Sequence, residues 1–106
     1  MDFKVIFRDT FLADLESLLR LIAAENPTAA IKLGDMIVQR GESLAFFPER
    51  YPKVRQRRGV RRFIVRKYFK VFYLIDHEAR LVEILRCWDG RRESDPALPH
   101  HLTGAR

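Results

Sequence analysis

Between Arg55 and Tyr68 the chain reads RQRRGVRRFIVRKY, with seven cations in fourteen positions, and a further pair, Arg91-Arg92, lies near its end. Guanidinium groups in adjacent pairs, as in Arg57-Arg58, Arg61-Arg62 and Arg91-Arg92, hold phosphates or carboxylates through two parallel hydrogen bonds. Holding an anion is not yet a reaction, because proton transfer needs a titratable group in reach of the reacting atoms. The titratable candidates are His77, the pair His100-His101, the acids Glu49, Glu83 and Asp89, and a lone thiol, Cys87. Cys87 falls in an apolar alternating segment, which suits a small core residue better than a nucleophile. One cysteine excludes an internal disulfide framework and a multi-cysteine metal site, and agrees with a reducing compartment. We expect no metal and no cofactor.

The formal charge of +6 is unevenly placed. Residues 1–49 hold five Lys/Arg against eight Asp/Glu, residues 50–92 fourteen against four, and the remainder one against two. A positive field confined to the second half points to an anionic partner meeting one layer of the fold, with the first half serving as scaffold. The alternative is that long Arg stems cover a small sheet. At 106 residues, 47% hydrophobic and 32% charged, the chain is one globular domain's worth. We expect a single domain over 1–96 and a flexible tail over 97–106, since RRESDPALPHHLTGAR has no sustained periodicity. The apolar runs are broken by charge well short of the roughly 20 residues of a membrane span, and MDFKVIFRD lacks an export signal. The expectation is a soluble cytoplasmic protein with no membrane partner and no small-molecule cofactor.

The elements that must position these groups follow from periodicity. FKVIFR, residues 3–8, alternates as a short strand. From Thr10, a candidate N-cap, Phe11, Leu15, Leu18, Leu19 and Ile22 recur at helical spacing, with Asp14, Glu16 and Arg20 between them. Asn26-Pro27 ends this helix and starts a second, carrying Ala30, Ile31, Leu33, Ile37, Val38 and Leu44 and stopping near Phe47-Pro48. So short a turn predicts an antiparallel helical hairpin. Beyond Pro52 the period falls to two, and VRRFIVR, YFKVFYLID and RLVEILRCW read as strands, the last two joined by the polar turn Asp76 to Ala79. The fold expected is α+β, βααβββ, with the helical hairpin on one face of a mostly antiparallel sheet of about four strands. With Phe63 and Val65 toward the helices, Arg62 and Arg66 point to the open face and Arg61 and Lys67 away from it; a one-residue shift of register exchanges the sets.

ADL (Ala13 to Leu15), AAENPTAA (Ala23 to Ala30), FFPER, VRRFIV, KVFYLID, VEIL and DGRR, in this order and spacing, resemble the ParE/RelE superfamily of toxins from bacterial type II toxin-antitoxin modules. The likeness spans nearly the whole chain, and KVFYLID and VEIL are similar to the plasmid-stabilisation, ParE-like branch. It implies a small basic toxin held inactive by a cognate acidic antitoxin, with one of two modes of action. RelE-like members cut messenger RNA in the ribosome; ParE-like members block DNA gyrase.

For the nuclease mode the resemblance implies two basic residues two apart in the first hairpin strand, an Arg in the next, and an Arg followed by Tyr or His near the C-terminus. Here Arg62 matches the first position and Ile64 stands at the second. Lys70 takes the middle-strand position, Arg91 or Arg92 the last, and no Tyr or His follows in SDPALP. Where many members read His-Gly-Arg-Arg, this chain has Asp89, whose ionised form the adjacent arginines favour. The weak catalytic candidates are thus Arg62, Lys70, Asp89 and Arg92, and the target- or antitoxin-binding candidates Arg57, Arg58, Arg62, Arg66, Arg91 and Arg92. The first expectation is a ParE-like toxin acting on DNA gyrase by protein binding. The alternatives are a ribosome-dependent mRNA endoribonuclease with an altered site and a non-toxic binding module. Each calls for an acidic, partly disordered partner that folds over the basic sheet and the helical hairpin, with Leu18, Leu19 and Ile22 as a candidate groove.

Overall fold

The computed structural model describes residues 2–92 and 95–98. Its elements are β1 (Lys4–Phe7), α1 (Asp9–Ala23), α2 (Pro27–Glu42), short 3₁₀ turns at Ser43–Ala45 and Pro48–Arg50, β2 (Val60–Val65), β3 (Phe69–Asp76) and β4 (Leu81–Asp89). The sheet order is β1-β4-β3-β2, with β1 parallel to β4 and the other neighbours antiparallel. The α+β, βααβββ architecture is as expected, and the meander β2-β3-β4 is what returns β4 to the side of β1.

The helices form where the pattern places them, with differences at their ends. Asn26 Oδ1 accepts from the Ala29 amide at 3.0 Å and Pro27 opens α2, the expected cap. Thr10, in contrast, is not the cap of α1. Arg8 holds that position, and the Thr10 hydroxyl donates instead to the Leu85 carbonyl at 2.8 Å. Helix α2 stops at Glu42, short of Phe47-Pro48, and tightens into the first 3₁₀ turn. Ile31, expected among the apolar set, faces outward at 66% exposure. Gly34 lets the helices close, because a Cβ there would lie 2.8 Å from Leu19 Cδ1.

The main core lies between helices and sheet and includes Phe11, Leu15, Leu33, Ile37 and Leu44 against Phe63, Val65, Val71, Tyr73, Val82, Ile84 and Cys87. Leu18, Leu19 and Ile22 pack against it. The second face of the sheet is not bare. Val60, Phe72, Leu74 and Leu85 make a small buried cluster there, joined by Val54, Trp88 and Leu98. The segment before β2 folds back along its edge, with the Val54 amide donating to Val60 O and the Arg62 amide to Pro52 O. Where a loose tail is expected from residue 97, the Ala97 carbonyl accepts from Arg86 at 2.9 Å and Leu98 joins that cluster. The remainder of the expected tail, with His100 and His101, lies outside the described residues.

A bulge sets the phase of β4. Phe72 pairs with Arg86 but Tyr73 with Ile84, which leaves Leu85 as the extra residue. Val82 and Ile84 therefore face the helices before the bulge and Cys87 after it, while Leu85 turns to the other cluster. Beyond Ile84 the outer edge of β4 has run past the end of β1. Helix α1 closes this edge. Asp14 accepts from Arg86 Nε at 2.7 Å, from Arg86 Nη2 at 3.0 Å and from the Cys87 amide at 3.1 Å. Both side chains of the ion pair are largely shielded, so loss of the carboxylate strands a guanidinium and a backbone donor together. We expect Asp14→Ala to destabilise the fold by about 2–3 kcal/mol in urea denaturation. Retention of wild-type stability would show that this edge is closed by other contacts.

Candidate binding surface

The cations of the second half separate into three environments. The first is the corner where β4 ends against the β2–β3 turn. Arg66 and Lys67 occupy that turn with φ of 55° and 75°, so β2 ends at Val65 and neither side chain belongs to the strand alternation expected of it. Consecutive left-handed residues bearing a Cβ are costly, about 1–2 kcal/mol each, and both are exposed. The turn is fastened to β4 by the Gly90 amide, which donates to Tyr68 O at 2.7 Å. A Cβ at Gly90 would stand 2.5 Å from that oxygen, so only glycine allows the approach.

Asp89 is committed at this corner. Its Oδ1 accepts from the Arg91 amide at 3.0 Å and Arg91 Nε at 2.9 Å, and its Oδ2 from Arg91 Nη2 at 2.6 Å. These hydrogen bonds from Arg91 outweigh partial burial and hold the carboxyl below the usual carboxylate range. Arg91 also lies over Tyr68, 5.0 Å from the ring centroid, and Arg92 over Trp88 at 4.2 Å. Tyr68 and Trp88 thus each carry one of the protein's own guanidinium groups, and Tyr68 remains 42% exposed. Phe69 and Phe72 are buried.

The second environment is the sheet face. Lys70, on β3, donates to Asp95 Oδ1 at 2.7 Å, and Gln56 Nε2 donates to Asp95 Oδ2. Arg62, diagonal to Lys70 across the β2–β3 ladder, keeps a buried Nε without a hydrogen-bond partner. It lines a recess with Lys53, Val54, Arg55 and Gln56. The third environment is structural. Arg61 donates to Glu49 O at 3.0 Å and Tyr51 O at 2.7 Å, and Arg50 reaches Phe46 O at 2.7 Å. Arg8 grips the buried Glu83, Nη2 to Oε1 at 2.6 Å. Arg57 is half-buried and Arg58 exposed in the segment before β2.

Of the candidates read from the sequence, the structure brings together Asp89, Arg91 and Arg92 at the corner and places Arg62 and Lys70 on one face. Arg66 lies in the turn at that corner, and Arg57 and Arg58 lie in the segment before β2. Glu49 lies 3.6 Å from His77, in the turn after β3 and away from the corner. Asp14, Arg86, Gln56 and Asp95 were not singled out by their types or spacing; their roles come from a helix meeting a strand edge and a tail meeting the sheet. Between α1 and the end of β4 lies a cleft lined by Asp14, Leu18, Leu21, Trp88 and Arg92, and a shallower apolar groove runs between the helices along Leu19, Ala23, Ala30 and Ile31.

A helical pair packed on a four-stranded mixed sheet, with a cationic hairpin at the β2–β3 end, is a small α+β fold. The family model for the ParE toxin of the type II toxin-antitoxin system, parDE, matches residues 5–94. The chain belongs to this ParE toxin family. Among solved structures it resembles the chromosomal ParDE system of P. aeruginosa, with a TM-score of 0.72 and 18% identity over 82% of this chain and 95% of that one. The RelBE2 toxin-antitoxin complex of Mycobacterium tuberculosis is similar at TM-score 0.61 and 24% identity, covering 84% of this chain and 92% of that one. The isolated RelE toxin of E. coli follows at 0.52 and 15%, covering 86% and 87%. No curated protein matches the sequence.

Burial in the core pushes the Cys87 thiol up to about 12. A thiol in that state is a poor nucleophile at neutral pH. We expect iodoacetamide to label Cys87 only as fast as the protein opens, with rapid labelling in denaturant; rapid labelling of the native protein would place the thiol in an accessible site.

Proposed function

We propose that this ParE-family toxin acts in the cytoplasm by binding a protein target, DNA gyrase, and that a cognate acidic antitoxin neutralises it. The observation that carries this reading is the commitment of the groups a nuclease would need. Cleavage through the ribose 2′-hydroxyl requires a base in reach of that proton and an acid at the leaving oxygen. Asp89 is held ionised by Arg91 with its oxygens engaged, so its proton affinity is low. Lys70 is neutralised by Asp95, and Ile64 presents no charge at all. Arg91 and Arg92 keep cationic surfaces for an acidic partner while bound to their own aromatic neighbours. Binding is what this arrangement does without rearrangement.

The antitoxin reading rests on charge and on shape. The net positive second half offers a sheet face and hairpin for acidic side chains, and the apolar groove between α1 and α2 accepts the face of a helix. One observation favours the RelE-like alternative: Arg62, at the position the nuclease pattern requires, has a free buried donor. Two assays on the purified toxin separate the readings. The proposal expects inhibition of gyrase supercoiling, reversed by antitoxin, with ribosome-bound mRNA left intact. Cleavage of that mRNA with gyrase unaffected would overturn it, and loss of both activities together with normal growth on expression would assign a non-toxic binding role.

A further inference from the structure

We propose that Arg62, Lys53, Arg55 and Gln56 form a phosphate-binding recess between β2 and the segment that folds back along it. This inference requires binding alone and no cleavage. It shares only Arg62 with the nuclease pattern; the other three residues come from the loop before β2.

The first support is an unmet donor. Arg62 Nε is shielded from solvent and has no hydrogen-bond partner. A buried charged donor left unpaired is costly, and such groups in native proteins commonly mark the place of an ion or water. The guanidinium of Arg80 is accounted for otherwise, lying over the Phe3 ring at 4.2 Å. The second support is convergence. Lys53, Arg55 and Arg62 line one recess together with the Gln56 amide, and none of the three cations has a carboxylate partner among the described residues. Lys53 and Arg55 are exposed and have no counter-charge in the recess, so an anion entering it meets an uncompensated positive field.

The chemistry of that anion follows from what the fold already offers. A carboxylate stands next to the recess: Asp95 accepts from Gln56, which lines it, yet its other oxygen goes to Lys70 and not to Arg62. A phosphate group carries more acceptor oxygens than a carboxylate and can meet an arginine fork, a lysine and a second arginine at once. The backbone reinforces the site. The Val54 amide donates to Val60 O at 2.9 Å and the Arg62 amide to Pro52 O at 3.1 Å, so the loop is pinned to the strand on both sides of the recess. The phosphate can come from a free nucleotide or from a nucleic-acid backbone.

The test is an NMR titration of the full-length ¹⁵N-labelled protein at constant ionic strength, following the Arg62 Nε–Hε resonance. Inorganic phosphate is expected to shift it to saturation where chloride does not. Arg55→Gln, in the exposed loop, should weaken binding by roughly tenfold, and so should Arg62→Gln, followed on the backbone amides of Val54 and Gln56. Lys32→Gln, on the exposed side of α2, should leave it unchanged. Equal binding of a mononucleotide and inorganic phosphate assigns the recess to small phosphates. Tighter binding of a short single-stranded oligonucleotide, with a salt slope reduced by about one on loss of Arg62, assigns it to a nucleic-acid backbone. No saturable shift, a shift that chloride reproduces, or a shift produced by a polyglutamate peptide but not by phosphate would overturn the proposal.

Discussion

The structure depends on how the outer edge of β4 is closed. A short β1 covers that strand only as far as Ile84, and an uncovered edge leaves backbone donors and acceptors without partners. Helix α1 completes the task with side chains: Thr10 takes the Leu85 carbonyl and Asp14 the Cys87 amide. Asp14 also fixes Arg86, the partner of Phe72 just past the bulge, so one carboxylate joins the helical layer to the strand that ends in the cationic corner. Everything downstream of Cys87 inherits its position from this contact.

What it positions is a surface whose charges differ in availability. Arg8, Arg61 and Arg86 serve the fold by satisfying carbonyls or buried acids. Arg91 and Arg92 sit on aromatic rings and beside Asp89, where they add to the positive field while their own geometry is fixed. Arg62 keeps a vacant donor. A density of cations that reads in the sequence as one feature is in space a division of labour, and the portion left over is suited to recognition of an anion.

The architecture was legible because its signals are local. Period 3.6 gives way to period 2 after Pro52, and Asn26-Pro27 marks the helical junction by capping chemistry that the structure repeats. The likeness to the ParE/RelE superfamily was legible for the same reason, being carried by short segments in order. The phase of β4 was not, since one inserted residue at Leu85 reverses its faces and leaves no mark in composition. Nor was the role of Asp14, which among helical residues reads as one more solvated charge. Arg66 departs from the strand alternation because two left-handed residues build the turn after Val65 without the glycine that would mark it. The covering of the second face has no signal in the sequence, because residues before β2 and near the C-terminus supply it and neither segment is periodic.

The central claim is that the corner formed by Asp89, Gly90, Arg91 and Arg92 binds without performing proton transfer. The most direct measurement is a ¹³C NMR titration of the Asp89 side-chain carboxyl in the full-length protein. Hydrogen bonds from Arg91 place its midpoint below the ordinary 3.8, so the carboxyl is predicted to stay ionised throughout the neutral range and to protonate only in strong acid. A midpoint raised toward neutrality would instead describe a general base, and would contradict the account.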